Sequence, residues 1–337
     1  MAGVLAEEPM PGYLQLFSTA PSVILDAYRD CKDCGIELSI QTLLDHAHLT
    51  PTEIMLFLLC VVMWTSLRWA LTSYLFEPFA HRCRLHSNDA VKMPESAWKL
   101  VFYTMSWSYC TYLLFFCDYG FFHNPSSVFH NWKSGMQVPM DISFAYLIQG
   151  SFYGHSIYAV VYMDAWRKDS AVMLLHHCIT LALIAFSYAF RFHNIGLLVL
   201  FLHDLNDILL EFTKLNIYFK IRGGKSYMIN DFLSTVGFVF FGITWFWFRL
   251  YWFPLKVLYV SFITSLKSVP NIPFYFFFNT LLFALLLMNI YWFRMVVRVL
   301  TGQMKGINDV REYEENEFQE PLEAESHNSG HLHSEKG

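Results

Sequence analysis

The feature that most constrains this 337-residue chain is a series of seven apolar runs, at 52–74, 97–117, 141–163, 171–190, 192–212, 233–253 and 273–300. Each approaches or exceeds the ~20 residues that carry a helix across the hydrocarbon core of a bilayer. The runs are continuously apolar, whereas barrel strands would alternate in segments of about ten residues, so spanning helices are predicted in preference to a barrel. Composition agrees: 55% of residues are hydrophobic, 18% aromatic and only 15% charged, and mean hydropathy is +0.34. The expectation is an all-α polytopic membrane bundle of about seven transmembrane helices. Arg191 alone separates the fourth and fifth runs, which predicts a tight antiparallel pair.

The flanks read differently. Residues 1–51 contain Glu7, Glu8 and prolines but no basic stretch leading into an apolar core, so the first run is expected to act as the anchor and the segment before it to be lumenal. Run and connection together make a unit at 52–92, followed by a membrane domain at 93–300. The tail, 301–337, carries Glu312, Glu314, Glu315, Glu317, Glu320, Glu323 and Glu325 and reads as disordered. Cys31 and Cys34 have the spacing of a local disulfide or half a metal site, but no second pair completes a zinc set. His327, His331 and His333 read as a solvated tail with at most weak metal affinity. No basic patch suggests a nucleic-acid partner, and there is no phosphate-binding glycine loop or internal repeat.

Orientation follows from Lys and Arg. Arg82, Arg84 and Lys92, then Arg167 and Lys168, then Lys214, Lys220, Arg222 and Lys225 occupy alternate connections, against Lys133, Arg191, Lys256 and Lys267 on the others. The positive-inside rule therefore predicts a cytosolic C-terminus and a lumenal or extracellular N-terminus.

Within this frame, His176 and His177 in the fourth run and His203, Asp204 and Asp207 in the fifth are polar groups in apolar surroundings. Ionisable residues at membrane depth are costly and tend to face a bundle interior where they serve function. Counting 1.5 Å per residue from Asp169 and from Lys214 puts both sets about 10 Å below the cytosolic face. His203 and Asp207 share a helix face, Asp204, Asp207 and Glu211 follow at helical spacing, and His155 on the third run has a similar depth.

Imidazole beside carboxylate is a usual way to build a general base or an activated nucleophile. The plainer alternative is a set of helix–helix hydrogen bonds. A metal site is disfavoured, because the H-x-x-H-H box of membrane di-iron enzymes would need a histidine where Met173 stands. A transporter, receptor or non-catalytic lipid sensor also suits buried His and Asp, but no broken helices recur in matching halves. Arg167, Lys168, Arg222 and Lys225 form a basic cytosolic rim over the cluster, which suits a phosphorylated soluble cosubstrate and favours an enzyme.

The stretch from Tyr162 to Lys214, with His-His, then Ser187-Tyr188, then His-Asp-x-x-Asp, resembles the Lag motif of ceramide synthases in the TRAM-LAG-CLN8 (TLC) group. M-P-E-S-A-W-K at Met93–Lys99 is similar as well, and the resemblance extends to Leu300. It implies a TLC-type membrane fold in the endoplasmic reticulum and transfer of a fatty acyl group from acyl-CoA to a sphingoid base, giving dihydroceramide or ceramide. Acyl-CoA is then the cosubstrate, membrane lipids surround the protein, and no further cofactor is needed. A homodimer, or a heterodimer with other members, is also implied. Only Glu77 to Ser96 is available where many vertebrate members carry a homeobox-like domain, and in this the chain is similar to the form associated with stearoyl-CoA. Carried over by position, His176, His177, Asp204 and Asp207 are the catalytic residues, with His155 and His203 in support. His176 is expected to act as nucleophile or base oriented by Asp207, with His177 and Asp204 as the second pair. The acyl tunnel is expected to run toward the lumen and to end at the connection 264–274, which would set chain length.

Overall fold

The computed structural model describes residues 10–30 and 40–302, except positions 165, 168 and 270. Cys31, Cys34, Lys168, the tail and its histidines lie outside the described residues.

Two helices, α1 (Tyr13–Asp30) and α2 (Ile40–His46), precede the first apolar run. Helix α3 (Pro51–Leu71) opens on a capping box, in which Thr50 Oγ1 accepts from the Glu53 amide at 3.2 Å and the Glu53 carboxylate accepts from the Thr50 amide at 2.8 Å. It continues through a π-helical turn into α4 (Glu77–Arg82). Then come α5 (Ser87–Phe116), α6 (Met140–Tyr162), α7 (Ser170–Ala189) and α8 (His193–Lys220). A hairpin of β1 (Ile221–Arg222) and β2 (Lys225–Ser226) follows, turned by Gly223 and Gly224 at φ 57° and 74°. Positive φ at both central residues is what a two-residue hairpin turn demands, and glycine meets it without a steric cost. Helix α9 (Met228–Thr244) runs on as π-helix over Trp245–Leu258 and Val260–Thr264 into α10 (Ser265–Ser268), and α11 (Tyr275–Leu300) closes the chain.

A long helix thus stands at each of the seven apolar runs. By length and composition, however, only Pro51–Arg82, Ser170–Ala189, Met228–Ser268 and Tyr275–Leu300 are apolar enough among the described residues to cross a membrane. The expected count of about seven is therefore not reproduced. Helices α5, α6 and α8 are long enough but carry buried polar side chains, among them Ser106, Gln149, His155, His203, Asp204, Asn206, Glu211 and Lys214. Such groups are tolerated at depth where the bundle itself supplies partners.

Helix α8 is the central element, with Leu197, Leu198 and Leu202 fully buried. It packs chiefly against α5 and α9, while α7 packs chiefly against α6. The expected tight pairing of the fourth and fifth runs is thus not made, although only Phe190–Phe192 joins them. The space between α7 and α8 is instead a cavity.

Two boundaries also move. Helix α8 extends to Lys220, past the expected end at 212, because Lys214 is buried and ion-paired to Glu211 one turn earlier, with Nζ 2.9 Å from Oε1. Asp207 accordingly lies thirteen residues, about 20 Å, from the end of its helix, twice the depth counted from Lys214. The connection 264–274 is largely helical up to Ser268, so the irregular part begins at Val269. Lys256, expected in the connection between the sixth and seventh runs, is buried and donates to the Phe122 carbonyl at 2.8 Å.

Candidate active site

His176 and His177 stand less than two turns into α7, and His203, Asp204 and Asp207 lie on the inner side of α8. A third contributor is Arg249, in the π-helical stretch after α9 and only 3% exposed. Its Nη2 lies 2.9 Å from Asp207 Oδ2 and donates to the His203 carbonyl at 2.7 Å, and its guanidinium carbon sits 4.0 Å from the centre of the Trp245 ring. The plane of the group is therefore fixed by a charge pair, a backbone acceptor and an aromatic face.

The expected hydrogen bond between His176 and Asp207 is not made. Asp207 is engaged by Arg249, and the buried His176 Nδ1 has no hydrogen-bond partner among the described residues. The His176 ring packs edge-on against Trp292 at 5.2 Å and stands 5.7 Å from His177, which packs against Tyr153 at 5.8 Å. Asp204 does not face His177 as a partner. Its Oδ2 accepts from Ser106 Oγ at 2.8 Å and from the Gln149 side-chain amide. Placed between α5, α6 and α8, Asp204 is a bundle-holding carboxylate beside the histidines.

His203 is also fully committed. Its Nδ1 faces the Val199 carbonyl at 2.8 Å and must donate to it, so Nε2 accepts from the Asn289 side-chain amide at 3.1 Å. That fixes one neutral tautomer and ties α8 to α11. His155 is not brought to the cluster: its Nδ1 bonds Thr65 Oγ1 at 3.0 Å and its ring packs edge-on to Trp98 at 6.1 Å.

Two cavities meet at this point, and His176, Asp207 and Arg249 line both. One is apolar and follows the α8 face Asp207, Asp204, His203, Leu200, Val199, Gly196 and Ile195 to Phe192 just before the helix, opposite Thr180, Leu183, Ile184 and Ser187 of α7. Fifteen residues of helix make it about 22 Å long. Its far end is walled by Phe129, Ile272, Pro273, Tyr275 and Phe278. Gly196 belongs to this wall because a Cβ there would overlap the Tyr146 hydroxyl, which bonds Ser187 Oγ at 3.0 Å and the His193 carbonyl at 3.2 Å.

The second cavity is more polar, lined by Lys99, Tyr103, Met173, His177, Glu211 and Val296 besides the three shared residues. Lys99 belongs to an ion network in which Glu95 bridges it to Arg167, with Arg167 Nη2 at 3.4 Å, and Asp164 links it to Arg68 of α3. Arg167 is therefore a buried, paired member of the scaffold and not part of an open rim. Arg222 lies over the Tyr227 ring at 4.1 Å, and neither it nor Lys225 lines this mouth. Among the described residues Lys99, and none of the residues of the basic rim expected from sequence, lines this cavity.

Sequence reasoning misses Arg249 and Lys99. An arginine inside the run 233–253 is a signal of the same kind as the histidines, and Lys99 is the last residue of the M-P-E-S-A-W-K stretch. Chemically, a deep apolar channel and a more polar vestibule, lined by Lys99 and Arg249 together with Asp207 and Glu211, meet at an imidazole and suit the transfer of a long acyl group from a polar carrier.

Comparison with known proteins agrees with this architecture. Residues 92–298 match the TLC domain of the TRAM, LAG1 and CLN8 proteins. The chain is 58% identical to human ceramide synthase 1 over 96% of its own length and 94% of the relative's. It is 57% identical to the mouse ceramide synthase 1 over 95% and 93%. At greater distance it is 32% identical to Arabidopsis thaliana ceramide synthase LOH2, covering 73% of this chain and 86% of that one.

Proposed function

The chain belongs to the ceramide synthase family of TLC-domain membrane proteins, and from that premise we propose that it is an acyl-CoA-dependent sphingoid base N-acyltransferase that prefers stearoyl-CoA. The observation that carries the reading is the meeting of an apolar channel and a more polar, charge-lined vestibule at His176. The acyl chain lies in the channel, the thioester stands at the junction, and the CoA leaves through the mouth beside Lys99.

In the reaction the sphingoid nitrogen bonds to the thioester carbonyl carbon and the C–S bond breaks. A proton passes from the nitrogen to the departing thiolate, giving an amide and CoA. A sphingoid amine is protonated at neutral pH and attacks only after losing that proton. His176 serves this need in one of two ways. It is the base that removes the proton, or it is the nucleophile that first takes the acyl group as an acyl-imidazole and yields it to the amine. Incubation with acyl-CoA alone separates them, since only the second leaves acyl label on the α7 peptide. Asp207, His177 and Asp204 hold the charge pattern around the imidazole, with Asp207 acting through Arg249.

The C18 preference is supported by a channel about 22 Å long, comparable with an extended long-chain acyl group. Ile272 and Pro273, both in the connection 264–274, line the far part of the channel, which supports a role for that connection at the methyl end of the chain. The Lys and Arg distribution supports an endoplasmic reticulum orientation with a lumenal N-terminus, a cytosolic tail and acyl-CoA entry from the cytosol. The test is mass spectrometry of the lipids made by purified protein from sphinganine and a mixed acyl-CoA pool. C18 dihydroceramide is the expected main product, and no N-acylated product at all would return the chain to the lipid-sensor class.

A further inference from the structure

Arg249 is a buried cation whose donors are only partly used. Its Nη2 serves Asp207 at 2.9 Å and the His203 carbonyl at 2.7 Å, which accounts for both hydrogens on that nitrogen. Nε is buried without an acceptor, and Nη1 makes no hydrogen bond among the described residues. Buried donors left unpaired are rare in folded proteins and call for an explanation. The side chain is held in place by the Asp207 carboxylate, the His203 carbonyl and the Trp245 ring, 4.0 Å from its guanidinium carbon. It is also one of three residues, with His176 and Asp207, that border both the apolar channel and the vestibule.

These facts coincide at the one place where the thioester must sit. A thioester carbonyl at the junction carries its alkyl chain into the channel and its sulfur toward the mouth, which leaves the oxygen to face the junction's own wall. We propose that Arg249 is a catalytic residue for acyl transfer, its uncommitted guanidinium N–H groups forming the oxyanion hole for the thioester carbonyl. The inference rests on the acyl-transfer reading above. When the attacking nitrogen bonds to the carbonyl carbon, the carbonyl π pair moves onto oxygen, and Arg249 donates hydrogen bonds to that charge. As the C=O bond re-forms, the pair expels CoA thiolate, which takes the proton released by the nitrogen. No other reagent is needed. A donor fixed before the charge appears, in a site with little water, stabilises the transition state more than the ground state. Asp207 then acts as a positioning residue, pairing the cation and setting its plane so that the free edge points at the acyl group.

Arg249→Lys is the informative variant, because it keeps a cation beside Asp207 and removes the planar fork. Steady-state turnover of stearoyl-CoA with sphinganine is measured in detergent, alongside the inhibition constant of S-octadecyl-CoA, a thioether with no carbonyl oxygen. The expected result is a turnover number lower by about a hundred- to a thousandfold, a KM for stearoyl-CoA within about threefold, and unchanged binding of the thioether. Turnover close to that of the unsubstituted protein would overturn the proposal and leave Arg249 as the partner of Asp207 alone. Loss of thioether binding together with turnover would also overturn it, assigning the residue to the scaffold. If the unsubstituted protein forms no N-acylated product, the acyl-transfer reading fails and this inference falls with it; an active parent with an equally active lysine variant sinks this inference only.

Discussion

The Asp207 carboxylate is held 2.9 Å from the Arg249 guanidinium, in a pair that joins α8 to the π-helical segment of the sixth run. This charge contact stands at the junction where the sequence predicts an imidazole–carboxylate bond. Arg249 needs the pair more than Asp207 does, because its side chain is 3% exposed against 21% for Asp207, and without the carboxylate its charge is stranded in the bundle. Asp207→Asn is therefore expected to abolish most activity and to cost several kcal/mol of stability, on the order of the 3–5 kcal/mol of a broken buried pair. Adding Arg249→Gln to that variant should restore thermal stability in detergent without restoring turnover. A double variant no more stable than Asp207→Asn would show that the pair carries no such load.

Lys99 is the cation at the mouth of the vestibule, already shared between Glu95 and Asp164. Lys99→Ala should raise the KM for acyl-CoA by about ten- to a hundredfold, the ~1.5–3 kcal/mol of a hydrogen bond to a charged group. The KM for sphinganine should stay within a few-fold. Charge reversal at Arg222 or Lys225, which do not line the mouth, should leave both constants nearly unchanged. Equal effects on the two substrates would place CoA binding elsewhere.

Chain-length choice should move without loss of chemistry. Ile272 and Pro273 wall the far end of the channel while His176 stands at the other, so exchanging 264–274 for the corresponding segment of a relative with another preference alters only methyl-end contacts. Each methylene is worth ~0.8 kcal/mol there, or about fourfold in selectivity. Product profiles by mass spectrometry should shift by two or more carbons, with total turnover on the new best substrate within a few-fold. An active chimera with an unaltered profile would put the determinant among the phenylalanines of α11.

Acid–base or nucleophilic chemistry at His176 needs no metal, and among the described residues no three His, Cys, Asp or Glu side chains converge on one point. Activity should survive EDTA and dialysis, with no stoichiometric zinc, iron or magnesium by elemental analysis. Inhibition by chelator that a single metal reverses would contradict this.

The all-α bundle and the choice of α7 and α8 as the helices that carry the polar cluster are legible in the sequence because apolar runs and their ionisable interruptions are one-dimensional signals. What a run does not reveal is direction around the helix axis. His155 has the depth in the chain that would let it join the cluster, yet it faces α3 and bonds Thr65, and nothing in its own run says which neighbour will claim it. Lys214 has the look of a cytosolic marker because a lysine ends a hydropathic run, but Glu211 neutralises it within the bundle and the helix goes on to Lys220. Arg249 is the opposite case. It lies inside a run whose other residues are mostly apolar, and only the fold reveals that it meets Asp207 from a helix more than thirty residues later in the chain, displacing the imidazole from that carboxylate.

Acyl transfer is assigned to His176, where channel and vestibule meet. It is tested most directly by quantifying N-acylated sphinganine formed from stearoyl-CoA by the purified protein and by its His176→Ala and His176→Ala/His177→Ala variants, each checked for intact thermal unfolding. The expected result is robust C18 dihydroceramide from the unsubstituted protein, loss of at least about a thousandfold in the single variant, and little further loss in the double, as residues that act as a unit behave. A folded His176→Ala/His177→Ala protein that still makes C18 dihydroceramide at an undiminished rate would contradict it.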